Sequence, residues 1–218
     1  VREQAAKARK PTKTGGKEKR RTQADRRSES DRRLIAAAFK LIAAKGADRT
    51  SLGEVGIAAG YSRGLPGERF GSKLHFLEAI VDQMEHYFEA RVAETVGDKK
   101  GLAAVMALID THFDGAYYTP EATKALEQLY MDALGALPEL KPRMVRFRHG
   151  LMDRFAREIR IGQKTGEIRA DINAKNAARI VETSMIGIVQ QAFFDGDVKH
   201  LKTLRKDFTE QVRRYLEP

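Results

Sequence analysis

Thr50, Ser51, Ser62, Arg63, Arg69 and Lys73 form the stretch where residue type and spacing point to a definite chemistry. Hydroxyls, guanidinium groups and an ammonium near helix starts donate hydrogen bonds to phosphate oxygens and to base edges. Ser62-Arg63 supplies a cap and a guanidinium at the start of one short helix. Arg69 lies on the same element. Lys73 opens the next helix, where unpaired backbone N–H groups already favour a phosphate. Thr50 and Ser51 hold the equivalent place on the preceding helix, and Gly64, Leu65 and Gly67 complete the face that would approach a nucleic acid.

The elements that must position these groups are legible in TSLGEVGIAAGYSRGLPGERFGSKLHFLEAI, residues 50–80. Ser51-Leu52-Gly53-Glu54 is a capping box of the S-x-x-E form. Leu52, Val55 and Ala59 give that helix a buried face, and Gly60 ends it. Ser62 caps a second short helix, and a long amphipathic one follows from Lys73 to about Val96. Two short helices across a glycine turn, followed by a longer helix, can lay one helix in the major groove. Gly53 and Gly56 weaken the first helix of the pair, which packing must then hold. Pro66 and Gly67 interrupt the reading segment. Proline costs about 3 kcal/mol in a helix interior but little in a first turn. So the helix either starts late, near Leu65, or has a deformed first turn. Glu68 either accepts from a cytosine amino group or faces away.

Other chemistries find no such support. The histidines at 75, 86, 112, 149 and 200 are scattered without metal-ligand spacing. The chain has no H-E-x-x-H motif, phosphate loop, dinucleotide loop or nucleophile elbow, so no metal, cofactor or enzyme activity is expected. It contains no cysteine, which fits a reducing, cytoplasmic setting. No apolar stretch is long enough for a membrane span, and no secretory h-region is visible.

The 218 residues carry a net charge of +10, unevenly placed. Residues 1–33 hold 13 Lys/Arg against five Asp/Glu. Residues 1–27 have no large apolar side chain and read as a disordered basic arm. Such an arm attracts a polyanion, or simply keeps the chain soluble.

From Ser28–Asp31 onward the period is helical. Leu34, Ala38, Leu41 and Ile42 share a face that ends at Gly46. Leu102, Val105, Met106, Ile109 and Phe113 mark another helix. Thr119-Pro120-Glu121 starts a helix that runs to about Leu134. Pro138 opens a longer one that closes near Gly162–Gly166. Asp171 or Asn173 caps a segment, Ala177 to Phe194, that is apolar nearly all round. Leu201, Leu204, Phe208, Val212 and Tyr215 mark the last helix. No strand-like alternation of useful length occurs. The fold class is therefore all-α, with about nine helices: the arm at 1–27, a helix-turn-helix domain at 28–78, and a larger helical domain at 79–218.

Phe39 through Ile80 resembles the N-terminal domain of TetR-type transcriptional regulators. The carrying residues are Gly46, Thr50-Ser51, Ala58-Ala59-Gly60, Ser62-Arg63-Gly64, Phe70, Ser72-Lys73 and Leu77. The resemblance implies a homodimer on a palindromic operator, acting as a repressor, with a small-molecule inducer pocket in the C-terminal domain. It places Thr50, Ser51, Arg63 and Lys73 on DNA-contact positions and Phe70 beneath the recognition helix. Where relatives carry a larger apolar residue and then an aromatic, this chain has Pro66 and Gly67.

Two further sets follow as expectations. Tyr87, Phe88, Phe113, Tyr117, Tyr130, Phe155 and Met185 are candidate pocket residues, with plain core as the alternative. Met185, Ile188, Val189, Phe193, Leu201, Leu204 and Phe208 are candidates for a four-helix dimer interface, with an intrachain core as the alternative. The competing functional readings are a nonspecific nucleic-acid binder using the basic arm and, more remotely, an enzyme on a helical scaffold.

Overall fold

The computed structural model describes residues 22–218, and these are all-helical. The described helices are α1 (Gln23–Lys45), α2 (Leu52–Ala58), α3 (Leu65–Phe70), α4 (Lys73–Thr95), α5 (Gly101–Tyr118), α6 (Pro120–Leu134), α7 (Lys141–Thr165), α8 (Ala174–Asp195) and α9 (Leu201–Leu216). Short 3-10 turns at Pro138–Leu140 and Val198–His200 lead into α7 and α9. None of these helices is long and apolar enough to cross a membrane.

Helix α1 starts earlier than its apolar period suggests. The Thr22 hydroxyl accepts from the Asp25 N–H at 3.1 Å, and the Asp25 carboxylate accepts from the Thr22 N–H at 2.9 Å. This reciprocal cap satisfies two donors at a helix start. The turns it opens are polar, so periodicity cannot detect them. Residues 23–27 of the expected arm are therefore helical, and the remainder up to residue 21 lies outside the described residues.

Two apolar clusters organise the chain. One gathers Leu34, Ile42, Val55, Phe76, Ile80, Leu129, Leu140 and Met144 from α1, α2, α6, the Pro138–Leu140 turn and the starts of α4 and α7. The other gathers Val105, Ile109, Phe113, Phe155, Ile159, Val181, Met185, Val189 and Phe208 from α5, α8, α9 and the end of α7. Helices α4 and α7 cross from one cluster to the other.

The first cluster joins the helix-turn-helix to the larger domain through α1 against α6. Asp132 on α6 accepts from the backbone N–H groups of Ala47 at 2.6 Å and Asp48 at 3.3 Å. Those donors follow the α1 terminus, where the chain turns at Gly46 with φ 83°. The Lys73 ammonium, at the start of α4, donates to the Asp48 carbonyl at 2.5 Å. A short polar chain thus runs from α6 through the α1–α2 loop to α4.

Other expected boundaries shift for local reasons. Thr119 does not cap α6, because its hydroxyl donates back to the Gly115 carbonyl at 2.8 Å. Asn173 rather than Asp171 caps α8, accepting from Lys175 and Asn176 N–H groups. Asp171 pairs with Arg169 at 2.6 Å.

Candidate nucleic-acid interface

The reading head is built by close approach. Gly56 on α2 faces the turn before α3, and a Cβ there would fall 2.3 Å from the Ser62 carbonyl oxygen and 3.2 Å from Pro66 Cδ. Only glycine admits that contact. Pro66 is buried in it. Proline sits in the first turn of α3, where its missing N–H would have no intrahelical partner. Pro66 therefore leaves α3 regular and starting at Leu65, and Gly56 has a packing role beyond a tolerated weakness. The Ser62 hydroxyl accepts from the Leu65 N–H at 3.2 Å, so Ser62 steadies the turn without being the helix cap.

Helix α2, short and glycine-bearing, is held at its start by charge. Ser51 accepts from the Glu54 N–H at 3.2 Å, and Glu54 accepts from the Ser51 N–H at 2.9 Å. The Lys45 ammonium on α1 pairs with Glu54 at 2.6 Å. That ammonium, the Ser51 N–H and the Ser51 hydroxyl hold the Glu54 carboxyl down at about 2.

The expected contact residues divide into two groups. Ser51, Ser62, Arg63 and Gly64 are exposed, with Leu65, Gly67 and Lys73 partly so. The Arg63 stem lies along Gly53, and among the described residues no hydrogen bond or ion pair holds its guanidinium. A Cβ on Gly67 would meet open space. Thr50 and Arg69 are turned inward. Thr50 is 5% exposed and its hydroxyl donates to the Gly46 carbonyl at 2.8 Å. Arg69 ties α3 to α1: its guanidinium pairs with Asp31 at 3.0 Å and donates to the Ser30 hydroxyl at 2.6 Å and the Arg27 carbonyl at 3.3 Å. Ser30 and Asp31 gave no separate signal in the sequence, because every residue from Arg26 to Arg33 is polar.

Four of the seven expected pocket residues, Phe88, Phe113, Phe155 and Met185, meet in the second apolar cluster. Phe113, Phe155 and Met185 are packed core. Tyr87 is exposed and Phe88 is partly buried against the second cluster. Tyr117 lies under the Lys202 ammonium at 4.4 Å. Tyr130 stands apart, half-buried in a polar group around the buried Glu182.

That group spans α6, α7 and α8. Glu182 is 0% exposed, and one of its carboxylate oxygens accepts from Arg148 Nη2 at 3.1 Å and Nε at 3.3 Å. Its other oxygen, Oε1, is buried with no hydrogen-bond partner among the described residues. Gln190 donates to Glu127 at 2.5 Å, and Arg148 lies over the Tyr130 ring at 5.9 Å. Burial raises the Glu182 carboxyl, against the pull of Arg148. Burial likewise raises Glu127 and the Tyr130 phenol, and the Glu182 charge adds to both. Neither glutamate stands out from sequence, because a lone acid on an apolar helix has no motif.

Of the expected interface residues, Met185, Val189, Leu201 and Phe208 are buried in the chain's own core. Ile188 and Phe193 pack partly against it, and Leu204 is half-buried. Helix α8 instead turns outward a face with Ile180, 54% exposed, and Phe194, 88% exposed, beside Thr183 and Gly187.

Known proteins share this arrangement. Residues 34–80 match the model of bacterial regulatory proteins of the tetR family, and residues 128–208 match the tetracyclin repressor-like C-terminal domain. The HTH-type transcriptional regulator SrpR of Pseudomonas putida is 22% identical over 170 residues, covering 78% of each chain. The structure of the regulator FadR from Bacillus subtilis with stearoyl-CoA superposes with a TM-score of 0.76 at 17% identity, covering 85% of this chain and 99% of that one. SmeT of Stenotrophomonas maltophilia, in complex with triclosan, gives 0.68 at 24%, covering 83% and 90%. With both domain models matched in order on a helix-turn-helix and a larger helical domain, the chain belongs to the TetR family of DNA-binding transcriptional regulators.

Proposed function

We infer that this regulator is a homodimeric repressor that binds a palindromic operator and is released by a small molecule. The observation that carries the reading is the α2–α3 unit, locked by Gly56 against Ser62 and Pro66, with Arg63 exposed at its tip. Family membership supports the dimer, and so does the outward apolar face of α8 around Ile180 and Phe194. A two-fold dimer matches an inverted repeat with half-sites about 34 Å apart. Thr50 and Arg69 hold the head in shape, while Ser51, Arg63 and Lys73 meet the DNA. The Lys/Arg-rich segment before α1 adds phosphate contacts.

Ligand release follows the polar chain between domains. A molecule that moves α6 or α4 changes the seat of the α1–α2 loop through Asp132 and Lys73, and with it the separation of the two heads. The complexes of FadR with stearoyl-CoA and of SmeT with triclosan support a small-molecule ligand.

Selection from random double-stranded DNA tests the reading. Recovered sequences should share an inverted repeat with half-site centres about one helical turn apart. Recovery of unrelated sequences at equal affinity would instead favour a nonspecific binder using the basic segment.

A further inference from the structure

We propose that Glu68 is a specificity-determining residue whose carboxylate reads the amino group of one cytosine in each half-site. This rests on the operator reading above and assigns a base within the site. Helix α3 leaves little else to read with. Most of its six residues are turned inward. Pro66 is buried against Gly56, Leu65 and Phe70 pack against the first apolar cluster, and Arg69 is tied to Asp31 on α1. Gly67 has no side chain, and a Cβ there would meet nothing within 4 Å. Glu68 is exposed, and among the described residues its carboxylate has neither a hydrogen bond nor an ion pair. It is therefore the side chain that α3 presents outward.

Place and charge select the partner. A Cβ on Gly64 would lie 3.3 Å from Glu68 Oε1, so the carboxylate leans back along α3 toward the Arg63–Gly64 turn. The Glu68 carboxylate and the Arg63 guanidinium, each unpaired among the described residues, thus share the tip of the reading head. A guanidinium suits a phosphate or a guanine edge, but a carboxylate is repelled by phosphates and needs a donor. In the major groove cytosine N4 offers a donor alone. Adenine sets the acceptor N7 beside its amino group, and guanine and thymine offer acceptors. A carboxylate desolvated against an acceptor loses its water and gains nothing. Cytosine is the base that fits. Gly64 and Gly67 carry no side chain to hold α3 off the bases, so the helix comes close enough for a glutamate to reach.

Selection from random double-stranded DNA with the full chain, Glu68→Gln and Glu68→Ala tests the proposal. The chain should favour cytosine at one position of each half-site by about fivefold or more over the other bases. Glu68→Gln should remove that preference and gain adenine there, since an amide both donates to N7 and accepts from N6. Glu68→Ala should erase the preference and bind unrelated DNA several-fold more tightly, as a carboxylate near the phosphates is gone. Both variants should melt with the parent chain, because the carboxylate has no partner to lose. Absence of a cytosine preference in the chain, or a base profile unchanged in both variants, would overturn the assignment. A cytosine preference that depends on Glu68 but occurs in single, unrepeated sites keeps the assignment and sinks the palindromic reading. An inverted repeat whose profile ignores Glu68 keeps the operator reading and sinks the assignment.

Discussion

Two arginines of the reading head, Arg63 in the turn before α3 and Arg69 on α3, do different work. Arg63 is exposed and unpaired among the described residues, whereas Arg69 is engaged with Asp31, Ser30 and the Arg27 carbonyl. Arg63→Ala should leave thermal stability unchanged and cost about 1–3 kcal/mol of operator binding, concentrated at one base pair if it reads a guanine. Arg69→Ala should lower stability by about 1–3 kcal/mol and weaken all DNA sequences alike, as the helix loses its tether. Parallel melting curves and binding to single-base operator variants check both. Sequence spacing placed both arginines on the reading element but could not separate them, because Arg69's partners lie some forty residues upstream.

His112 gives a pH signature at the same scale. Burial holds its imidazole down to about 4, while the unfolded chain binds that proton near 6.5. Between these values the unfolded state carries more protons. The His112 contribution is therefore full above about pH 6.5 and is lost as pH falls toward 4, on the order of 3 kcal/mol. The raised carboxyls of Glu127 and Glu182 slope the other way. Comparing denaturant midpoints of the chain and His112→Gln from pH 7 to 4 isolates the imidazole. The gap between the two should narrow or reverse with acid, and a constant gap would contradict the assignment.

At the scale of elements, glycine positions carry opposite expectations. Gly56→Ala puts a methyl 2.3 Å from the Ser62 carbonyl and should cost roughly 1–3 kcal/mol while spoiling DNA binding. Gly67→Ala points a methyl into open space within α3 and should stabilise the chain by about 0.5–1 kcal/mol. Chemical denaturation of the two variants checks the signs. Capping boxes and apolar periods made α2, α4 and α8 legible from sequence, and first-turn chemistry left open the late start of α3. The start of α1 was not legible, because Thr22 and Asp25 cap a polar turn with no period. The close contact of Gly56 with Pro66 was equally hidden, since propensity reports cost and says nothing of tertiary approach.

Over the whole molecule, the apolar residues of α8 and α9 are shared between the chain's own core and an outward face. Periodicity marked both as apolar but could not assign each residue to a side. Ile180 and Phe194 lie outside, and Met185 and Val189 inside. Phe194→Asp should shift the sedimentation equilibrium from dimer toward monomer by at least tenfold, with helix content retained. An unchanged dimer would move the interface elsewhere. The basic segment is best tested by removing residues 1–21, because a longer cut would take the cap of α1 and the Arg27 carbonyl that holds Arg69. Loss of affinity with a shallower salt dependence is expected.

In the proposed function two identical heads read two half-sites with Arg63. A hydroxyl-radical and methylation footprint of the full chain on a selected operator, repeated with Arg63→Ala, tests this most directly. The expected result is two protected patches on one face of the duplex, related by a two-fold axis about one turn apart, with Arg63→Ala losing major-groove protection equally in both. A single patch, even coverage of the fragment, or protection indifferent to Arg63 would contradict it.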